Sequence, residues 1–233
     1  MKTSFVVKTI GLSLIALFLL GACAKITPPP EQVQRMAAIN PNDTKYSDKA
    51  LVSGLVNIVG TGIFKNTSIQ CAQAYIQFTE ELSGKKNVLV YSSDPLTGQG
   101  IDSNAFISID PGTYYITHVE CFGPGEYIIL SRIKEYETPS LRKYIPKVSL
   151  SAGEIVFIGA FEMKRTRKLE SQSSDQPAQY LGTLEVINTK NIKEQISKKN
   201  PALGKQLIVR LATNESFESI ISEKHQDSFI FVH

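Results

Sequence analysis

Residues 105–121 read AFISIDPGTYYITHVEC, and their pattern decides the predicted fold class. Apolar side chains recur at every second position from Ala105 to Ile109, which is the period of a half-buried β-strand. Asp110-Pro111-Gly112 then has the chemistry of a tight turn, because proline presets φ and glycine accepts a positive φ. Residues 113–121 return as a second strand. The segment therefore predicts a β-hairpin.

The same alternation of strands and turns continues in both directions from this hairpin. Residues 72–78 place apolar side chains at alternate positions, as expected for a strand with one buried face. Residues 87–92 and 154–163 are apolar on both faces, which is typical of central strands. Further strands are predicted at residues 51–59, 127–133, 148–150, 180–187, 207–211 and 228–232. We therefore expect a mainly β protein, an antiparallel β-sandwich at residues 50–233.

Two segments near the C-terminus have helical spacing. Ile192 and Ile196 stand four residues apart within residues 189–199, and the pattern ends at Asn200-Pro201. Residues 214–224 have similar spacing, with Asn214 as the N-cap. The sandwich is therefore expected to carry one or two short helices near its C-terminus.

Residues 164–179 interrupt the β pattern. Four basic side chains lie between residues 164 and 168, and a stretch rich in Ser, Gln, Asp and Pro follows. A polyanion-binding site and a solvated hairpin loop are the two interpretations. Flanking glutamates and the lack of interleaved aromatic residues favour an exposed loop at residues 164–179.

The composition excludes several classes of function. The chain has 233 residues, of which 42% are hydrophobic, so it is long enough for a sizeable core in one or two domains. Its 25 basic residues stand against 22 acidic ones, and two of the lysines lie within residues 1–22. The remainder is nearly neutral, which argues against a nucleic-acid binder. Three cysteines are too few for a disulfide-dense scaffold.

The N-terminus has the layout of a secretory signal peptide. Two lysines precede an apolar run at residues 10–20, and small residues follow. As a helix this run spans roughly 16 Å, about half the hydrocarbon core of a bilayer, so we interpret residues 1–22 as a signal peptide. Three consecutive prolines at residues 28–30 and the polar residues that follow them are expected to form a tether.

The end of the apolar run, Leu20-Gly21-Ala22-Cys23, resembles the lipobox of bacterial lipoproteins. In that family the cysteine becomes the first mature residue, so the resemblance implies lipid attachment, palmitate included, at Cys23, with residues 23–49 as the lipidated N-terminus and tether. Ala24 stands where an aspartate favours inner-membrane retention, which implies sorting to the outer membrane in a cell with two membranes. An ordinary cleaved signal peptide is the alternative.

Two stretches of the body also resemble known proteins. Residues 110–115 (DPGTYY) are similar to a corner of small prealbumin-like or carboxypeptidase-regulatory-like β-sandwiches. Residues 149–159 (SLSAGEIVFIG) resemble a strand of uncharacterised bacterial lipoproteins that carry such a sandwich. The resemblance covers roughly residues 50–163. The resembling motifs form turns and strands, so the resemblance implies a fold but does not identify catalytic or binding residues.

Two cysteines remain once Cys23 is assigned to the lipid. An exported protein meets oxidising conditions, and Cys71 and Cys121 stand at the start and the end of two predicted strands. Antiparallel pairing of those strands brings a start close to an end, so we predict a disulfide between the two. Cys71 falls on the polar side of its strand, which suits an edge or outer-face bridge. Two separate buried thiols are the alternative.

A search for catalytic residues finds one weak candidate. His118 and Glu120 share a strand face and supply two potential metal ligands, but a third ligand is missing nearby. The sequence lacks a G-x-S-x-G elbow and a phosphate-binding loop, and its S-x-x-K stretches, residues 140–143 among them, lack their partner motifs. Tyr114, Tyr115 and Tyr127 are candidates for an aromatic binding surface, with core or rim positions as the alternative. We expect no metal, no cofactor and no catalytic residue.

These observations predict a non-enzymatic envelope lipoprotein, a binding or assembly module anchored to the outer membrane through its lipid. Its expected partners are the membrane and envelope proteins, and not nucleic acid. Two alternatives stay open. One is an accessory lipoprotein subunit of a secretion or conjugation machine, and the other is an envelope hydrolase that uses His118 and Glu120.

Overall fold

The computed structural model describes residues 33–34, 36–60, 67–92, 105–123, 126–169, 179–215 and 218–224. The chain divides into two compact units, residues 1–30 and residues 31–233, and all of the described residues belong to the second unit. The predicted signal peptide, Cys23 and the strand expected at residues 228–232 lie outside the described residues.

The described residues are mainly β, as predicted. They form thirteen strands: β1 (Val33–Gln34), β2 (Ala50–Val59), β3 (Ser68–Gln70), β4 (Gln73–Glu80), β5 (Lys86–Ser92), β6 (Phe106–Ile109), β7 (Gly112–Gly123), β8 (Glu126–Ser131), β9 (Lys147–Leu150), β10 (Ile155–Lys168), β11 (Gln179–Ile187), β12 (Leu207–Val209) and β13 (Glu218–Lys224).

Hydrogen bonds connect ten strands in the order β1-β6-β2-β10-β11-β13-β8-β7-β4-β5, with β12, β3 and β9 paired to β10, β2 and β7. Strands far apart in this order still meet, because the backbone N–H of Val56 in β2 donates to the hydroxyl of Tyr91 in β5 at 2.7 Å. The sheet thus folds over itself into a β-sandwich. Most pairs are antiparallel, whereas β2 and β12 both run parallel to β10.

The predicted hairpin at residues 105–121 is wrong, although both of its strands exist. β6 pairs with β1 and β2, whereas β7 pairs with β4, β8 and β9. The turn at residues 110–112 therefore carries the chain from one layer of the sandwich to the other. Turn chemistry reverses the direction of the chain in either case, so it predicts the turn without predicting the partner of each strand.

In the described ranges, three short helices accompany the strands: α1 (Ile133–Glu137), α2 (Ile192–Lys199) and α3 (Pro201–Gln206). There are also 3₁₀ turns at Met36–Ala38, Thr44–Tyr46 and Pro139–Tyr144. The prediction of α2 is confirmed, since Ile192 and Ile196 are both buried. Asn200 ends α2 and caps α3, where its side chain accepts a hydrogen bond from the backbone N–H of Leu203 at 3.0 Å.

The helix predicted at residues 214–224 is wrong. Residues 218–224 form β13, which pairs antiparallel with both β11 and β8. Apolar residues at positions i, i+3 and i+4 fit a helix, but they do not exclude a strand that has a partner on each side. The sandwich still has two short helices near the C-terminus, because α3 directly follows α2.

The loop predicted at residues 164–179 is shorter than expected. β10 continues to Lys168, and its basic end pairs with β11 from Lys164 opposite Thr183 to Lys168 opposite Tyr180. The hairpin connection is confirmed, whereas the four basic side chains belong to a strand. Residues 170–178 lie outside the described residues.

Part of the segment predicted as a tether belongs to the folded domain. Met36, Ile39 and Tyr46 are 1%, 3% and 5% exposed and lie in the hydrophobic core. The side-chain amide of Asn200 donates to the backbone carbonyls of Met36 and Ile39 at 3.0 and 2.9 Å. The domain therefore begins before residue 50. A polar segment can pack onto a folded domain when a few of its side chains, here Met36, Ile39 and Tyr46, are apolar and become buried.

Candidate functional site

A pocket of about 350 Å³ opens beside strands β7 and β9, and we call it the Tyr115 pocket. It is assembled from segments that are distant in the sequence. Its lining consists of Glu81, Tyr115, Pro139, Arg142, Lys143, Ile145, Lys147 and Thr213.

Backbone pairing brings these segments together. Tyr115 in β7 stands opposite Lys147 in β9 in the antiparallel register. Lys147 also forms an isolated bridge with Thr213, through backbone hydrogen bonds of 3.0 Å in both directions. Arg142 lies in the 3₁₀ turn Pro139–Tyr144, which begins with proline because the first helical position needs no N–H donor. The pocket is thus held by main-chain structure on several sides.

Tyr115 forms the floor of the pocket and is 5% exposed. Its hydroxyl donates to Oε1 of Glu81 at 3.0 Å. Burial raises the pKa of Tyr115, and the hydrogen bond to the Glu81 carboxylate raises it further. The phenol therefore stays protonated at neutral pH. The ring of Tyr136 packs edge-on against it at 5.6 Å between centroids.

Arg142 and Lys147 both lie over tyrosine rings, as does the other cation of the lining, Lys143, whose Nζ is 4.9 Å from the centroid of Tyr144. The guanidinium of Arg142 is 4.8 Å from the centroid of Tyr136, and its Nε donates to the carbonyl of Tyr136 at 2.6 Å. The Nζ atom of Lys147 lies 5.8 Å from the centroid of Tyr115. Within the described residues, neither Arg142 nor Lys147 forms an ion pair with a carboxylate. The negative faces of the tyrosine rings offset part of the positive charge of Arg142 and Lys147.

The third cation, Lys143, is neutralised locally. Its Nζ lies 3.0 Å from a carboxylate oxygen of Glu215, and the hydrogen bond to Glu215 raises the pKa of Lys143. With Glu81 as the one carboxylate in the lining, the pocket has an excess of positive charge, and tyrosine, proline and isoleucine also line it. This arrangement is suited to binding an anion.

The sequence does not predict this pocket. From the sequence, Lys143 is noted only as part of an S-x-x-K stretch, and Tyr115 only as a candidate for an aromatic surface. The signal in the sequence was the clustering of three basic residues with Tyr144 between residues 142 and 147. That clustering does not reveal which other segments it faces.

His118 and Glu120 lie together on the face of β7, as the sequence predicted. His118 Nε2 and Glu120 Oε1 are 2.7 Å apart, and their side chains are 18% and 17% exposed. The hydroxyl of Tyr127 donates to Glu120 Oε2 at 2.6 Å, so both carboxylate oxygens have partners. Burial and this hydrogen bond raise the pKa of Tyr127. In the part of the chain that the structure describes, no three His, Cys, Asp or Glu residues come close enough to hold a metal ion.

The three tyrosines considered as one aromatic surface occupy three different environments. Tyr114 is buried in the core, and its hydroxyl donates to the carbonyl of Asp110 at 2.8 Å. Tyr115 forms the floor of the pocket. Tyr127 stacks on Phe122 with 4.1 Å between ring centroids. A shared surface is therefore wrong, because alternate residues of a strand face opposite sides of the sheet.

Cys71 and Cys121 lie at disulfide distance, with their Cα atoms 5.4 Å apart. Both are fully buried in the hydrophobic core, so the predicted edge or outer-face position is wrong. Cys71 precedes the first residue of β4, and the alternation of that strand does not extend to it. Its backbone N–H instead donates to the carbonyl of Val56 in β2 at 3.0 Å.

Cys23, the predicted lipid attachment site, lies outside the described residues, as do His225 and His233. None of the helices in the described ranges is long and apolar enough to cross a membrane. Comparison with known proteins finds no match for this chain among family models, curated proteins or solved structures.

Proposed function

We propose that this chain is a lipid-anchored, non-enzymatic binding module of the bacterial cell envelope. Cys23 would carry the lipid that holds it to the outer membrane, and the sandwich would present the Tyr115 pocket to a ligand or a partner protein. The observation that carries the proposal is the buried Cys71–Cys121 pair at disulfide distance.

A cysteine pair in this position favours an exported protein. Disulfides form and persist in oxidising compartments and are rare in the reducing cytosol. The two cysteines are 50 residues apart, and closing such a loop stabilises a fold by about 4 kcal/mol on the chain-entropy model. The signal-peptide layout and the lipobox-like end of residues 1–23 support the same compartment.

The environment of His118 and Glu120 fits a structural role better than the hydrolase alternative. Glu120 accepts a hydrogen bond from Tyr127 and is paired with His118, while the His118 ring contacts Tyr75 edge-on with 5.6 Å between ring centroids. A general base needs a free acceptor within reach of a substrate proton. For Glu120 to act as the base, its carboxylate would therefore have to release one of these partners first.

Mass spectrometry and membrane fractionation of the expressed chain test the proposal. The mature protein is expected to begin at Cys23, to carry acyl chains and to fractionate with the outer membrane. Cys23→Ser is expected to accumulate as an unlipidated precursor. Ala24→Asp is the matched control, since it keeps the lipid and is expected to move the protein to the inner membrane. A mature protein that begins elsewhere without lipid would refute the proposal.

A further inference from the structure

We propose that the Tyr115 pocket binds a small anion through one carboxylate or phosphate group, with Arg142 and Lys147 as the anchoring cations. The inference deepens the proposed binding function and rests on it for its biological context. Its physical basis is the pocket alone.

Two of the three cations in the lining have no carboxylate partner among the described residues and can contact a ligand. Lys143 has Glu215 as its partner, and Oε1 of Glu81 accepts from the Tyr115 hydroxyl. Arg142 and Lys147 have only backbone and ring contacts in the part of the chain described here. A concave site lined by charge of one sign concentrates the field and attracts ions of the opposite sign.

Arg142 is fixed before any ligand arrives. Its Nε bond to the carbonyl of Tyr136 and its position over the Tyr136 ring hold the plane of the guanidinium. The two Nη groups remain as donors in the fork geometry that matches a carboxylate or a phosphate. A side chain that is already ordered loses little conformational entropy on binding, which favours affinity.

The rest of the pocket limits the ligand. A volume of about 350 Å³ is at the lower end of the range for small-molecule sites. The Tyr115 ring, Pro139 and Ile145 offer apolar contact for a short body. The Glu81 carboxylate repels a second acidic group and accepts a hydrogen bond, so the expected ligand has a single acidic group and a donor at its other end.

Chemical footprinting of the full chain, purified in detergent from whole lysates of the expressing cells, tests the inference. Phenylglyoxal modifies arginine, and peptide mass spectrometry measures the rate at Arg142 and at exposed Arg167 as an internal control. The probes are sodium acetate, inorganic phosphate and acetamide, which is the neutral isostere of acetate. An anion at three times its Kd is expected to slow modification of Arg142 about four-fold and to leave Arg167 unchanged.

Two variants give the test a second readout. Lys147→Gln replaces an exposed side chain and is expected to raise the anion concentration needed for half-protection about ten-fold, because one charge-assisted contact is lost. Lys134→Gln, outside the pocket lining, is expected to leave it unchanged. Protection by acetate alone assigns a carboxylate ligand, and protection by phosphate alone assigns a phosphoryl group.

Three results would overturn the inference: no saturable protection by either anion, equal protection by acetamide, or equal slowing at Arg167. Any of these, found in a chain whose Cys23 is lipidated, would reject the anion site and leave the envelope anchor intact. Protection of Arg142 in a chain whose Cys23 carries no lipid would support the anion site and reject the envelope anchor.

Discussion

Asp110 shows how one exposed side chain holds a corner of the sandwich. Lys49, just before β2, and Lys85, just before β5, place their ammonium groups 2.5 and 2.7 Å from its two carboxylate oxygens. The hydrogen bonds from Lys49 and then Lys85 lower the pKa of Asp110 to about 2. The carbonyl of the same residue accepts from Tyr114. Asp110 thereby connects the starts of two strands to the turn that changes layers.

Asp110→Asn is expected to reduce the acid sensitivity of the fold. The pKa of Asp110 is lower in the folded protein than in the unfolded chain, where it is about 4, so the ionised carboxylate stabilises the folded state at a pH above about 4. This stabilisation is lost as the pH falls towards 2. Because the side chain is 43% exposed, the contribution is expected to be under about 1 kcal/mol. Urea unfolding at neutral and acidic pH measures it.

The control for Asp110→Asn is ionic strength. Added salt screens exposed pairs and is expected to shrink the difference between wild type and variant at neutral pH. Equal loss of stability on acidification in both proteins would show that the two lysines do not stabilise the corner.

Among the strands, β10 is the one on which the packing of its neighbours β2, β11 and β12 depends. Seven consecutive residues from 155 to 161 are buried, and the strand pairs with β2, β11 and β12. Its register with β2 shifts between Phe157 and Ala160, which marks a β-bulge. Gly159 lies within this shift at φ +106°, a conformation that favours glycine.

Gly159→Ala is expected to destabilise the domain by about 2–4 kcal/mol, because the positive φ and a steric overlap add together. An added Cβ would lie 2.7 Å from Cγ1 of Val186 in β11. Gly84→Ala is the matched control, since Gly84 has φ +69° and no atom within 4 Å of the added Cβ. Its expected cost is about 1–2 kcal/mol. If urea unfolding shows that Gly159→Ala and Gly84→Ala lower the free energy of unfolding equally, β11 moves away from the added Cβ without an energetic cost.

For the whole chain, the start of the folded domain limits how far that domain could lie from a lipid attached at Cys23. Val33 in β1 pairs with Ile107 in β6, and Met36 is buried, so the folded domain begins within 10 residues of Cys23. At no more than about 3.6 Å per residue, such a segment extends at most about 36 Å. In the proposed anchored form, the start of the sandwich would therefore stay within that distance of the lipid.

Met36→Ala tests this boundary. Truncation of a buried methionine is expected to lower the free energy of unfolding by about 2–4 kcal/mol, because transfer energy is lost and a cavity forms. Ala38→Ser, an exposed position in the same 3₁₀ turn, is expected to change stability by less than about 0.5 kcal/mol. If both variants unfold like the wild type, the segment acts as a tether and the domain begins later.

The features that could be predicted from the sequence are those that a few neighbouring residues encode. The period of two predicted β4, the apolar run predicted β10, and the spacing of Ile192 and Ile196 predicted α2. These signals are local, because the spacing of apolar residues along a few positions of the sequence, every second residue in a strand or every third to fourth in a helix, indicates the buried face. The mainly β class follows from such segments without knowledge of their partners.

The tertiary structure alone decided which segments meet. Residues 87–92 are apolar on both faces, which predicts a central strand, yet β5 ends the hydrogen-bonded order, and Val88 and Val90 are partly exposed. β6 and β7 look like a hairpin and belong to different layers. The Tyr115 pocket joins residue 81 to residue 213. Pairing and pocket formation depend on hydrogen bonds and packing between distant segments, and a local pattern carries no information about which distant segment will supply them.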